Sequence, residues 1–187
     1  MRLFIAIELE EKLKQELKRV QDLLKEKAGP GLSFSNPEQF HLTIKFLGEV
    51  ADHKTAAIIE KMPLISKNVP PFVLQLSSIG CFQAKNLPRV IWAGIKEAGE
   101  GRTLQTLWEH CEKELSVLSL KPENRSFSPH ITLARVRVPA AGIKVREILG
   151  RLNIKAYKQP VASFVLFKSV LSPRSAVHTV IHKQILG

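Results

Sequence analysis

Cysteine is scarce: Cys81 and Cys111 are the only two in 187 residues. That excludes a disulfide scaffold and a cysteine-rich zinc site, and it fits a reducing compartment. No apolar run approaches the ~18 residues that a membrane-spanning helix needs. The opening stretch Met1-Arg2-Leu3-Phe4-Ile5-Ala6-Ile7-Glu8 is too short for a signal-peptide apolar region and has no small-residue cleavage site. A cytoplasmic chain with no membrane partner is therefore expected. A P-loop and a nucleotide-activating lysine motif are missing, which argues against ATP-driven ligation. Low-complexity tracts and Gly/Ser-rich linkers are missing as well, so residues 1–187 are expected to form one domain. Acidic residues are few: 17 Asp plus Glu stand against 28 Lys plus Arg, a net charge of +11. Such a balance favours a polyanionic partner, of which nucleic acid is the usual case. A lysine-rich solvated surface would give the same number.

What is present is an ordinary globular balance, 44% apolar and 24% charged. Hydrophobic periodicity predicts strands over 3–9, 40–47, 72–76, 89–95, 131–138, 161–170 and 177–185. It predicts long helices over 10–27 and 101–118. Leu13, Leu17, Val20 and Leu24 form the buried stripe of the first, and Leu104, Leu107, Trp108, Cys111, Leu115 and Leu118 that of the second. Shorter helices are expected from Asp52 to just before Pro63 and over 143–149, with a turn at Ser172-Pro173-Arg174. Strands and helices recur in similar order along the two halves. The expected fold is α+β, with antiparallel sheets arranged as two similar lobes. A monomer with no obligate protein partner is the default expectation.

One pattern carries chemistry. Phe40-His41-Leu42-Thr43-Ile44 and Pro129-His130-Ile131-Thr132-Leu133 both read His-apolar-Thr-apolar. Chance placement of the chain's histidines and threonines yields only about 0.04 such motifs, although short motifs carry a false-positive risk. Residues i and i+2 of a strand share a face. His41 and Thr43 therefore point together, as do His130 and Thr132. Across a groove they would present two imidazoles and two hydroxyls to one ligand. Histidine titrates near neutrality, so one imidazole can act as base while the other acts as acid. Threonine hydroxyls can donate to non-bridging phosphate oxygens. The set suits phosphodiester hydrolysis with neither metal nor cofactor. By the same alternation Lys45 shares the face of His41 and Thr43 and is a candidate phosphate contact.

The sequence resembles the 2H phosphoesterase superfamily, and within it the RNA 2′,3′-cyclic phosphodiesterases once called 2′-5′ RNA ligases. The resemblance is carried by Arg2-Leu3-Phe4-Ile5-Ala6-Ile7, residues 39–50 around His41, Pro88-Arg89-Val90-Ile91-Trp92-Ala93-Gly94, residues 127–136 around His130, and the C-terminal Phe164–Ser169 and Leu171-Ser172-Pro173. It implies a bilobal fold with pseudo-twofold symmetry and a central cleft between the histidine strands. It implies hydrolysis of an RNA terminal 2′,3′-cyclic phosphate to a 2′-phosphomonoester, with His41 as proton donor and His130 as proton acceptor. The family's arginine five residues after the second histidine corresponds to Arg135, assigned to the phosphate. Strict alternation aims Arg135 away from His130, and a bulge would be needed to bring it back.

Related sequences carry an aromatic near Ser35, where this chain has Phe34, and often a tyrosine where it has His178. His178 and His182 are expected on one face of the last strand. Two alternatives stand beside the hydrolase. One is 2′-5′ RNA ligase-type activity in the same cleft. The other is a non-catalytic basic module that binds RNA through its lysines and arginines.

Overall fold

The apolar spacing of the first long helix is what its packing uses. α1 spans Glu11–Ala28, and Leu13, Leu17, Val20 and Leu24 are fully buried, each stabilising the fold by ~1.5–3 kcal/mol relative to exposure. Gly29 ends the helix at φ +69°, and its N–H reaches the Lys25 carbonyl. That conformation costs a side chain and suits glycine. At the other end the Glu10 N–H donates to Gln159 Oε1 at 2.9 Å, and Gln159 Nε2 donates to the Glu8 carbonyl at 2.8 Å. A distant buried side chain thus caps the helix entry.

The computed structural model describes residues 1–120, 122, 126–171 and 176–187. The strands are β1 (Arg2–Glu8), β2 (Leu32–Phe34), β3 (His41–Glu49), β4 (Phe72–Ala84), β5 (Leu87–Glu97), β6 (His130–Val136), β7 (Lys158–Val161), β8 (Ser163–Leu171) and β9 (Ala176–Ile185). The remaining helices are α2 (Lys54–Ser66), α3 (Thr103–Ser116) and α4 (Pro139–Leu149), and a 3-10 turn at Pro37–Gln39 precedes β3. A four-stranded antiparallel sheet runs β3-β1-β8-β9, and a five-stranded one runs β2-β6-β5-β4-β7. The fold is α+β and two-lobed, as expected.

The internal repeat is visible, but it does not coincide with the lobes. β1-α1-β3-α2 and β5-α3-β6-α4 are the two repeats, and each begins with a strand pairing antiparallel to its own histidine strand. The long helices are exchanged. α1 follows a strand of the first sheet but packs on β2, β6 and α4, whereas α3 follows a strand of the second and packs on β3 and α2. One continuous core, from Leu3, Ile5 and Ile7 through Leu42, Ile91, Leu107 and Leu133 to Leu166, therefore joins both lobes. It leaves the opposite sheet faces to line the cleft, where β3 and β6 approach one another.

Three local expectations change. The helix predicted to stop before Pro63 continues to Ser66 with Pro63 inside it. Buried Ile58, Met62 and Ile65 and a bond from Ser66 Oγ to the Pro63 carbonyl offset the proline cost of ~3 kcal/mol. The strand predicted over 72–76 runs on to Ala84 because an irregularity between Leu76 and Ile79 absorbs Ser77 and Ser78 without ending the pairing. β7, with Pro160 on a sheet edge, had no alternating pattern to announce it. The turn expected at Ser172-Pro173-Arg174 lies outside the described residues.

Candidate active site

His41 and His130 each open a strand, and each is held in the same way. The His41 Nδ1–H donates to the Gln39 carbonyl at 2.8 Å, and the His130 Nδ1–H to the Ser128 carbonyl at 2.7 Å. A carbonyl can only accept, so both neutral rings carry the proton on Nδ1 and leave the Nε2 lone pair free. Both rings are partly exposed, and so are Thr43 and Thr132. The local pairing matches as well. Ala6 faces Thr43 and the next pair is Ile5 with Lys45, so Ile44 is the extra residue of a bulge. Trp92 faces Thr132 and the next pair is Ile91 with Ala134, so Leu133 is the extra residue at the corresponding place.

These two bulges decide what lies beside the histidines, because one extra residue reverses which face the following side chains point to. Arg135 returns to the face of His130 and Thr132, opposite Val90 and Ser33, and is exposed. Lys45 goes the other way. The expectation that it shares the face of His41 is corrected: it is 4% exposed and paired with Glu112 of α3. Phe46, 60% exposed, takes the cleft position that corresponds to Arg135 in the other repeat. A further irregularity in β9 separates His178 from His182. Phe167 pairs with Val180 but Leu166 with His182, so the two histidines occupy opposite faces rather than the shared one expected.

The wall around His41 is aromatic. Phe4 lies 4.8 Å away, Phe167 5.9 Å and the His178 ring, edge-on, 5.1 Å between centroids. Phe4, Ala6, Val165 and Phe167 form a small buried apolar cluster of their own beneath it. Around His130 stand Phe82, edge-on at 4.8 Å, and Trp92 at 6.4 Å. Trp92 lies over Gly80, where a Cβ would collide with the indole ring, so only glycine permits that approach. Phe34 does not reach the cleft: it pairs with Ala134 on the core side, under Lys25 at 5.1 Å. Glu8, opposite His41 and ion-paired with Lys183 at 3.1 Å, is a carboxylate that reading single strands did not reveal. Gln39, Phe46 and Phe82 were likewise missed, since each depends on cross-strand placement.

Burial pushes His41 down to about 4. The Gln39 carbonyl opposes that shift by favouring the charged ring, and neighbouring His178 adds to it. The unfolded imidazole titrates near 6.5, so as pH falls from 6.5 towards 4 the unfolded chain takes up this proton first. Stability is then full above pH 6.5 and is lost across that window. We expect the melting temperature to fall more steeply between pH 6.5 and 4.5 for the wild type than for His41→Asn. Equal slopes by calorimetry would show that burial of His41 is not felt.

Two identically anchored imidazoles on bulged strands, with a hydroxyl two residues after each, form a duplicated unit whose side chains are chemically able to exchange protons. Comparisons with known proteins place the chain in a family. The model of the LigT like Phosphoesterase family matches residues 7–92 and 95–177, and the chain belongs to this family. It is 30% identical to the RNA 2′,3′-cyclic phosphodiesterase of Methanothermobacter thermautotrophicus, covering 96% of this chain and 95% of the relative. It is 31% identical to that of Methanocaldococcus jannaschii, covering 97% and 98%. Among solved structures, TT0787 of Thermus thermophilus superposes with a TM-score of 0.82 at 29% identity, over 100% of this chain and 98% of that one. E. coli LigT complexed with 3′-AMP shares the fold, with a TM-score of 0.72 at 24% identity over 99% and 97%.

Proposed function

We propose that the chain hydrolyses a terminal 2′,3′-cyclic phosphate of RNA to a 2′-phosphomonoester by metal-independent acid–base catalysis. The observation that carries this is the matched anchoring of His41 and His130 on the neighbouring strands β3 and β6, which leaves the Nε2 lone pair of each ring free of that anchor. His130 Nε2 accepts a proton from water as the water oxygen attacks phosphorus. The P–O3′ bond breaks, and His41 gives its Nε2 proton to the departing 3′ oxygen. Thr43 and Thr132 donate to the non-bridging oxygens, and Arg135 balances their charge. His41 must be protonated to act as the acid. Although burial holds it near 4, an anionic phosphodiester within ~4–6 Å favours the imidazolium and lifts it. The direction, His41 as donor and His130 as acceptor, follows the family resemblance. The two repeats are otherwise alike in anchoring. They differ in presenting Phe46 on one side and Arg135 on the other, which would give a bound nucleotide one apolar and one cationic wall.

RNA as substrate is supported by the names of the relatives and by the net charge of +11. The continuous core supports one catalytic domain over residues 1–187, and a monomer is the form proposed. Free Cys81 and Cys111 suit the cytoplasm. The test is product analysis of a short RNA ending in 2′,3′-cyclic phosphate, incubated with the protein in EDTA. A 2′-phosphate end is expected. A 3′-phosphate end would exchange the leaving oxygen, and turnover only after adding Mg²⁺ or Mn²⁺ would overturn metal independence.

A further inference from the structure

The three histidines that could share the cleft are not equivalent, and the difference lies in what their ring nitrogens meet. His178 stands on β9 with its ring perpendicular to that of His41, 5.1 Å between centroids, and edge-on to Phe4 at 4.9 Å. Its backbone N–H donates to Gln39 Oε1 at 2.8 Å. The carbonyl of the same glutamine accepts from His41 Nδ1–H. Gln39 therefore fixes the two rings relative to one another, one through its side chain and one through its main chain. Irregular pairing in β9 keeps His178, and not His182, on this face.

The Nδ1 atom of His178 is buried and has no hydrogen-bond partner among the described residues. A buried N–H without an acceptor is rarer and costlier than an unused acceptor. Both the Nδ1–H tautomer and the imidazolium would place an N–H there. The neutral ring protonated on Nε2 is the one form that avoids it. Nε2 makes no hydrogen bond among the described residues and, unlike Nδ1, is not sealed from solvent. The charged groups sharing this face among the described residues are Arg2, Glu49 opposite it in register, and the Glu8–Lys183 pair, and none of them hydrogen-bonds the Nδ1 atom.

We propose that His178 is a substrate-contact residue presenting a fixed, neutral Nε2–H donor to a phosphate oxygen bound beside His41. The two neighbouring rings then hold opposite tautomers. His41 keeps Nδ1–H on Gln39 and exchanges protons at Nε2, while His178 keeps its proton on Nε2 and only donates. Burial also lowers the pKa of His178. A neutral His178 lets His41 take up its proton next to the phosphate without like-charge repulsion. This inference rests on a phosphodiester occupying the cleft, as proposed above.

Two measurements test it. In ¹⁵N-labelled wild-type protein at pH 7, imidazole NMR should show His41 protonated on Nδ1 and His178 on Nε2. Inorganic phosphate should shift the His178 Nε2 signal. In the RNA assay, His178→Leu should lower kcat/KM about 10- to 100-fold, the loss of one hydrogen bond to a charged group. His178→Gln, which keeps an N–H donor, should stay within about threefold of wild type. Finding His178 protonated on Nδ1 or charged at pH 7, or unmoved by phosphate, overturns the proposal. So does a His178→Leu rate within threefold of wild type. His178→Gln as impaired as His178→Leu would assign the residue to packing and overturn it equally. If the wild type turns over no cyclic phosphate, the hydrolase assignment fails, and the NMR pair still decides whether His178 holds an anion.

Discussion

His41→Ala and His130→Ala should each lower kcat/KM for a cyclic-phosphate RNA by about 10²-fold or more, the usual contribution of one positioned acid or base. The expectation follows from the division of one proton transfer between two rings. Removing His130 removes the proposed acceptor of the water proton. Without His41, the 3′ oxygen must leave as an alkoxide. The double variant should be little worse than the poorer single one, because two groups serving one transition state do not contribute independently. RNA affinity should survive in all three, since Arg135 and the distributed basic charge remain. The module that only binds RNA predicts the reverse: unchanged behaviour in both histidine variants and a salt slope set by lysine and arginine contacts. Rates measured alongside Kd for a non-cleavable RNA separate the two. Unchanged rates in both alanine variants would sink the acid–base assignment.

Much of this site was legible because its chemistry is local. His41-x-Thr43 and His130-x-Thr132 need only the two-residue period of a strand, and the buried stripe of α1 needs only the helical one. What the sequence did not show depends on pairing. A bulge is defined by two strands together, and neither Ile44 nor Leu133 carries a glycine or other mark that would disclose one. Arg135 was expected to need a bulge and has it, while Lys45 was assigned by alternation and the matching bulge removes it. The aromatic walls were hidden for the same reason. Phe4, Phe46, Phe82 and Trp92 are scattered through the chain, and only the curl of two sheets gathers them around the imidazoles. The helix exchange between lobes was not legible either, because periodicity says that a helix buries a face and not which sheet receives it.

The displaced Lys45 makes a second strong expectation. Its side chain is 2% exposed and its charge is met by Glu112, whose side chain is 20% exposed. Glu112→Ala leaves an ammonium group buried beneath β3 without that carboxylate, and breaking a buried pair in this way costs about 3–5 kcal/mol. For a chain of this size that is roughly 10 °C in melting temperature. Lys45→Met should be far milder. It removes the buried charge together with its desolvation cost, fills the same volume with apolar atoms, and leaves a carboxylate that water can reach. The two changes are therefore unequal in stability although they delete the same ion pair. They also separate structure from catalysis. Lys45 faces α3 and not the cleft, so Lys45→Met should keep kcat/KM within a few-fold of wild type while Arg135 still meets the phosphate. A Lys45→Met protein with an unchanged melting temperature but a rate down by tenfold would return Lys45 to the substrate face and contradict the bulge at Ile44. Equal destabilisation by both variants would instead mean that a stranded Glu112 costs as much as a stranded Lys45.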